Sequence, residues 1–430
     1  MKDKQISPWA WIPSLYLAEG LPYVAVMTIS VIMYKRMGIS NADIAFYTGL
    51  LYLPWLIKPL WSPFVDLLKT GRWWIIVMQI LIGGGFAGIA FTVSLPFFFR
   101  ATLAFFYLMA FASATHDIAA DGFYMHGLDT GRQAMFVGVR NVFYRAATVL
   151  GQGVLVILAG YLERITGKIA FAWSITFFVM AGLFVLLALY HRFALPKPGS
   201  DAPDPDLKAS DILKEFTETF ASFFKKPHLL SALFFMLTFR FAEAQLQKLL
   251  SPFLLDPVEQ GGLGLTTEEV GLVYGTVGVI ALMLGGIIGG VAASRGGLKK
   301  WLWPMTLSML LTAVTFVYLS FSQTGNLAVI NICVFVEQFG YGFGFTAYML
   351  YLMYFSEGRH KTAHYAICTG FMAMGMMLPG MFAGWLQEQL GYNRFFIWVM
   401  ICSILPAIAV AKINYELRIT KVHNSYIHSS

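Results

Sequence analysis

Ten residues near the amino terminus, Ser14 to Tyr23 (SLYLAEGLPY), set a glutamate in the middle of an apolar run. A carboxylate at the centre of a bilayer costs about 3 kcal/mol on insertion scales, so Glu19 needs a reason to be there. Other ionisable residues keep similar company. Asp117 and Asp121 stand four apart in ATHDIAADGFY, on one helix face, with His116 beside the first. Glu337 lies in FVEQFGYGFG, and Arg240 and Glu243 stand three apart in RFAEAQ. Carboxylates close together in a medium of low dielectric repel, and taking up a proton relieves the repulsion. That is the chemistry proton coupling needs, so Asp117, Asp121, Glu19, Glu337 and Glu243 are its candidates. The same residues admit structural roles: hydrogen bonds between helices for the acids, and mutual neutralisation for Arg240 with Glu243. Arg145, deep in RNVFYRAATVLGQG, requires an acid, with Asp117, Asp121 and Glu19 available. Arg140 lies nearer a membrane face and can snorkel or latch. Lys58 and Lys248 are similar cases.

Aromatic residues on the same segments, among them Tyr16, Tyr23, Tyr47, Tyr144, Tyr274, Tyr341, Tyr348 and Tyr351, suit stacking against sugar rings or plain packing. Metal and cofactor chemistry finds no footing. Cys333, Cys368 and Cys402 lie in apolar segments without ligand spacing, and His360 and His364 lack a partner acid. The glycine runs GYGFG and GGIIGG follow no strand, so they read as close helix contacts and not as a phosphate loop. No cofactor and no metal are expected.

The elements that must position these residues follow from composition. Of 430 residues 58% are hydrophobic and only 12% are charged, against about 25% charged in soluble domains. Mean hydropathy is +0.66. This is the composition of a polytopic membrane protein. Its net charge of +7 reads as topological and not as a nucleic-acid footprint. At about 20 apolar residues per span, twelve are expected: 9–34, 41–66, 73–95, 97–125, 133–162, 169–192, 228–255, 267–293, 299–321, 326–355, 362–389 and 393–412. The first apolar run carries no small-residue cleavage site and is expected to stay as a helix. Between the halves, a Pro- and Asp-rich stretch leads into DLKASDILKEFTETFASFF, which has one apolar face and reads as an amphipathic helix on the membrane surface. Most Lys and Arg outside the spans fall on the side of both termini and this linker, which makes that side cytoplasmic.

The chain is also a duplication. GISNADIAFYTG (Gly38 to Gly49) lines up with GLTTEEVGLVYG (Gly264 to Gly275) at an offset of 226, each opening a helix with a capping residue, Ser40 or Thr266, and an acid three residues on. At an offset of 224, Gly151, Gly160 and Gly167 match Gly375, Gly384 and Gly391, and LAEGL around Glu19 matches FAEAQ around Glu243. Two parallel six-helix repeats resemble the major facilitator fold, which implies a substrate cavity between the halves near the bilayer midplane. The loop WSPFVDLLKTGRWW strengthens the resemblance. Asp66, Gly71 and Arg72 fit the superfamily's signature, with Ser62 where its leading Gly stands. The echo GVAASRGGLKK keeps Gly290, Gly297, Lys299 and Lys300 but has Ser294 for the acid. Asp66, Gly71, Arg72, Gly290 and Gly297 are thus expected to form a cytoplasmic latch.

More narrowly, GLP (Gly20 to Pro22), ATHDIAADGFY (Ala114 to Tyr124), EVGLVYGTVGVIALMLGGIIGG (Glu269 to Gly290) and VFVEQFGYGFGFTAYMLYLM (Val334 to Met353) resemble the AmpG-type muropeptide permeases, and more distantly the acetyl-CoA transporter family. His116 stands where that family usually has Gln, Gly122 where Ala is usual, and Glu19 where many members have a small residue. The resemblance implies a proton-driven permease of the bacterial inner membrane. It would carry GlcNAc–anhydro-muramic acid sugars, with or without peptide, into the cytoplasm for cell-wall recycling. The expected architecture is all-α, with a six-helix bundle over 1–192, a cytoplasmic linker over 193–227, a second bundle over 228–412 and a cytoplasmic tail over 413–430. The expected cavity set is Glu19, Tyr23, His116, Asp117, Asp121, Tyr144, Arg145, Arg240, Glu243, Tyr274, Glu337 and Tyr341. Expected partners are an amino-sugar or muropeptide solute, protons and membrane lipid, with no nucleic acid and a monomeric chain. Transport of another sugar, peptide or acyl-CoA-like solute remains a second reading, and a multispan transferase a remote third.

Overall fold

A computed structural model describes residues 6–197, 201, 209–358 and 361–427, and every regular element among them is helical. Nine helical runs among the described residues are long and apolar enough to cross a membrane. Two of these, Thr267–Ser322 and Ala363–Glu416, are 56 and 54 residues long, enough for two crossings each. Each is broken at a glycine with φ in the left-handed region, Gly297 (φ 68°) and Gly391 (φ 71°).

The expected span 41–66 is not one helix. It runs as Asn41–Leu50, Leu53–Ile57, a 3-10 turn at Lys58–Leu60 and Ser62–Leu68. Pro54, Pro59 and Pro63 each remove a backbone donor and crowd the preceding turn, which is why the helix cannot run through. The helix Ala209–Phe224 forms where the amphipathic segment was expected. The last helix, Ile404–Ile427, continues through the expected tail as far as the described residues go. Arg359 and His360 lie outside the described residues, as does the linker at 198–200 and 202–208.

The described chain packs as two compact units. The first comprises Met1–Ile39, Leu51–Leu213 and Thr266–Thr276; the second comprises Ser40–Leu50, Lys214–Leu265 and Val277–Ser430. Each unit therefore takes in one copy of the duplicated capping motif. In the first unit, Trp11, Leu15, Tyr16, Ile75 and Phe123 belong to one buried cluster. In the second, Phe235, Phe239, Met305, Tyr348 and Leu352 do the same.

Sequence-matched glycines explain how the exchanged segments fit. Thr266 and Glu269 form a full capping box, while Ser40 and Asp43 bond through Oγ at 3.0 Å. Within the first unit, a Cβ on Gly160 would fall 2.3 Å from the Glu268 amide nitrogen. Within the second, a Cβ on Gly384 would fall 1.9 Å from the Asn41 carbonyl oxygen. Both approaches exclude any side chain. Polar locks accompany them. Asn41 Nδ2 donates to Gln387 at 2.7 Å and Tyr392 OH to Asp256 at 2.6 Å, as Thr267 Oγ1 donates to Glu163 at 2.8 Å. Gly384→Ala is expected to destabilise the seating of Ser40–Leu50 by about 2 kcal/mol, the usual cost of overpacking. Hydrogen exchange at the amides of 40–50 should then speed up. Gly182, with open space about its Cα, should accept Ala without such a change.

Candidate functional site

In the first unit, three acids of the expected set gather. The Lys58 turn, freed by the flanking proline breaks, brings its Nζ to 3.6 Å from Asp117 Oδ2, and Trp55 Nε1 donates to the same oxygen at 3.2 Å. One helical turn on, Arg140 Nη2 donates to Asp121 Oδ1 at 2.7 Å. Its guanidinium lies 4.5 Å from the Tyr16 ring centroid, and the Tyr16 hydroxyl reaches Asp121 at 3.4 Å. Glu19 is only 7% exposed and lies within electrostatic reach of both aspartates and both cations, but its Oε2 has no hydrogen-bond partner. Tyr23 is half-buried, edge-to-face with Trp55 at 5.2 Å.

Several expectations are corrected here. Arg145 forms no ion pair among the described residues; Arg140 takes the acid instead. These positions differ by more than one helical turn, and only the packing of the helix Thr130–Thr148 decides which faces Asp121. His116 does not join the aspartates. One residue is a turn of about 100° on a helix, and the ring faces Gln79 at 3.0 Å. From there a buried polar chain continues through His191 to Ser14. The Gly20 to Pro22 stretch does not loosen its helix. The helix Ile12–Val24 runs through both, and a Cβ on Gly20 would meet Ala147 and the Tyr144 carbonyl at 2.9 Å. The irregular turn comes later, as a π-helical stretch over Ala25–Ile29. A further π-helical stretch, Val273–Gly278, carries the buried Tyr274.

The second unit is built differently. Its first long segment breaks at Phe239 and Arg240, between the helices Leu229–Thr238 and Phe241–Leu255. Such a break at membrane depth is tolerated only where protein or water covers it. Arg240 sits in the break, hydrogen-bonded to Tyr341 OH, with its guanidinium 5.2 Å and 5.0 Å from the Tyr341 and Phe345 ring centroids. Glu243 stands in the first turn after the break, where the helix dipole favours negative charge. It meets Glu337, not Arg240, through a shared donor. Gln247 Nε2 lies 2.6 Å from Glu243 Oε1 and 3.2 Å from Glu337 Oε1. Gln338 Nε2 donates to Glu337 Oε2 at 2.8 Å.

A sequence model described as the Major Facilitator Superfamily matches residues 14–364 of this chain. The chain belongs to that superfamily. Among curated relatives, this facilitator is similar to putative transporter AmpG 4 of Rickettsia conorii, 26% identical over 408 residues, covering 92% of this chain and 94% of that one. The anhydromuropeptide permease of Escherichia coli K12 is 24% identical over 423 residues, covering 96% of this chain and 81% of that protein. Among solved structures, a bacterial homologue of the human lysosomal transporter Spinster, inward-facing and unoccupied, has a TM-score of 0.72 at 17% identity, covering 97% of this chain and 98% of that one. This facilitator is thus a multi-pass membrane protein of a transporter family, with small-molecule solutes as that family's substrates.

Residues expected to form a latch have neighbours that the sequence did not suggest. The Asp201 carboxylate receives the Gly71 and Arg72 amides at 2.7 and 3.2 Å, and the Arg72 side chain bonds the Arg192 carbonyl. The side chain of Asp66 lies outside the described residues. Gly290 has open space around its Cα. Sequence reasoning passed over Trp55, Gln247, Gln338, Glu163 and Asp201. For Gln247 a signal existed, since it is four residues from Glu243 and so on the same helix face.

Proposed function

We propose that this facilitator imports cell-wall-derived amino sugars of the GlcNAc–anhydro-muramic acid type, with or without peptide, by alternating access driven by protons. It would sit in the bacterial inner membrane with both termini in the cytoplasm, working as a monomer. The functional division follows the repeats, with bundles over 1–192 and 228–412 around the linker 193–227 and the tail 413–430 outside them. The observation that carries the reading is the pair Glu19 and Glu243. They are buried acids at matched positions of the two repeats, each surrounded by polar and aromatic side chains inside a membrane helix. Likeness over nearly the full chain to relatives named as anhydromuropeptide and AmpG transporters supports the solute class. The cations Lys58, Arg140 and Arg240 suit the carboxylate of a muramic acid, and Tyr16, Tyr23 and Tyr341 suit the faces of its sugar ring. The linker strap from Asp201 to Gly71 and Arg72 supports a latch on the linker side.

Purified protein in liposomes with an imposed inward proton gradient is expected to accumulate labelled GlcNAc–anhydro-muramic acid. Unlabelled muropeptide should compete, and coenzyme A esters and maltose should not. Accumulation of a coenzyme A ester or maltose alone would move the function to the second reading, transport of another solute. Conversion of the label without its movement would move it to a membrane transferase.

A further inference from the structure

We propose that Glu243 and Glu337 share one proton and form the proton-binding site of the second unit. The inference deepens the reading of a proton-driven importer and rests on it for the direction of transport. It starts from a difference between the two acid clusters. In the first unit Asp117 and Asp121 each have a basic partner, Lys58 and Arg140, and the acids are not bridged by a common donor among the hydrogen bonds described. In the second unit the two glutamates have each other. They are 4% and 1% exposed and interact directly through their charges. One amide, that of Gln247, touches both.

Two carboxylates buried against one donor repel each other, since their oxygens are acceptors alone, and a proton on one of them relieves the repulsion. The charge count agrees. Arg240 is the cation within electrostatic reach of Glu243, and its guanidinium is held by Tyr341 and Phe345. Lys248, on the same helix, donates to Thr48. The side chains that donate to the pair, Gln247 and Gln338, are neutral amides. Two negative charges with one cation in reach of Glu243 leave the site one positive charge short, and a single proton supplies it. The remaining negative charge is held by Arg240 and by the start of the helix Phe241–Leu255.

Coupling follows from the spacing. Arg240 is three residues from Glu243, and Tyr341 is four from Glu337, so the Arg240–Tyr341 pair lies one turn from the dyad along both helices. An anionic group of the solute drawn to Arg240 adds negative charge beside the dyad and holds its proton there. Departure of the solute removes that charge, and the proton leaves to water. By linkage the proton strengthens binding of the anion to the same degree. The site therefore selects anionic solutes as its coupled cargo.

The proton is read without any solute by infrared spectroscopy of the purified full-length protein. At neutral pH a protonated-carboxyl C=O band is expected, and the Glu243→Gln/Glu337→Gln double variant should lose one carboxyl's worth of it. Gln247→Leu leaves both carboxyls in place and should shift the band by removing their common donor. In liposomes with labelled GlcNAc–anhydro-muramic acid, Glu243→Gln and Glu337→Gln should each lose pH-gradient-driven accumulation. An undiminished band in the double variant overturns the shared proton, as does wild-type accumulation by either single variant. Failure of the wild type to move this solute overturns the solute reading instead, and the infrared result still decides the dyad.

Discussion

Glu19→Gln is expected to remove most proton-driven uptake while leaving the melting temperature of the protein unchanged. A buried acid kept for architecture should have its oxygens tied to a neighbouring helix, since an unsatisfied buried polar atom costs about 1–3 kcal/mol. Glu19 is 7% exposed, and its Oε2 has no partner, although Lys58 and Arg140 lie within electrostatic reach. Those cations are taken by Asp117 and Asp121. The carboxylate is therefore poised beside paired charges that a solute or a proton can rearrange, and it holds little together by itself. Gln keeps the shape and one acceptor but carries neither charge nor exchangeable acid. A variant that melts markedly lower but transports normally per folded molecule would sink this view and make Glu19 a structural strut.

The largest stability effect is expected at a residue outside the acid clusters. Glu163 accepts from Arg36 Nε and Nη2 at 3.0 and 2.9 Å, Trp173 Nε1 at 2.9 Å and Thr267 Oγ1 at 2.8 Å. It thus ties four segments of the first unit, including the exchanged stretch Thr266–Thr276. Truncation strands a buried indole N–H, a buried hydroxyl and a half-buried guanidinium at once. Breaking such a pair costs about 3 kcal/mol or more when burial is high. Glu163→Ala should therefore unfold at clearly lower denaturant concentration than the parent, and Glu163→Gln, which still accepts from Trp173 or Thr267, should fall between them. Equal loss in the two variants would mean that charge alone matters. No loss in either would mean that the network contributes nothing.

The repeat equivalence that relates Glu19 to Glu243 also relates Gln387 to Glu163, at an offset of 224. Thr267 bonds Glu163 in the first unit, and Asn41, its own counterpart at 226, bonds Gln387 in the second. One architecture is thus served by a charged lock in one copy and a neutral one in the other. The acid clusters diverge in the same manner. Duplication preserved where the polar groups sit and not how they are neutralised.

The sequence alone determined the membrane class, the helical fold and the repeated motifs of the duplication. These are local properties, written in hydropathy, in four-residue spacing and in repeated glycines. Gly38 and Gly264, matched at 226, both take positive φ, as do Gly167 and Gly391, matched at 224. A backbone conformation that L side chains rarely adopt is legible from residue type. Only the tertiary structure decided which charge meets which. Asp117 finds Lys58 and not Arg145, Asp121 finds Arg140, His116 turns to Gln79, and Glu243 finds Glu337, 94 positions on. Each outcome depends on how helices rotate and pair. One residue changes direction by about 100°, and partners that are distant in sequence are set by packing, which no local spacing encodes.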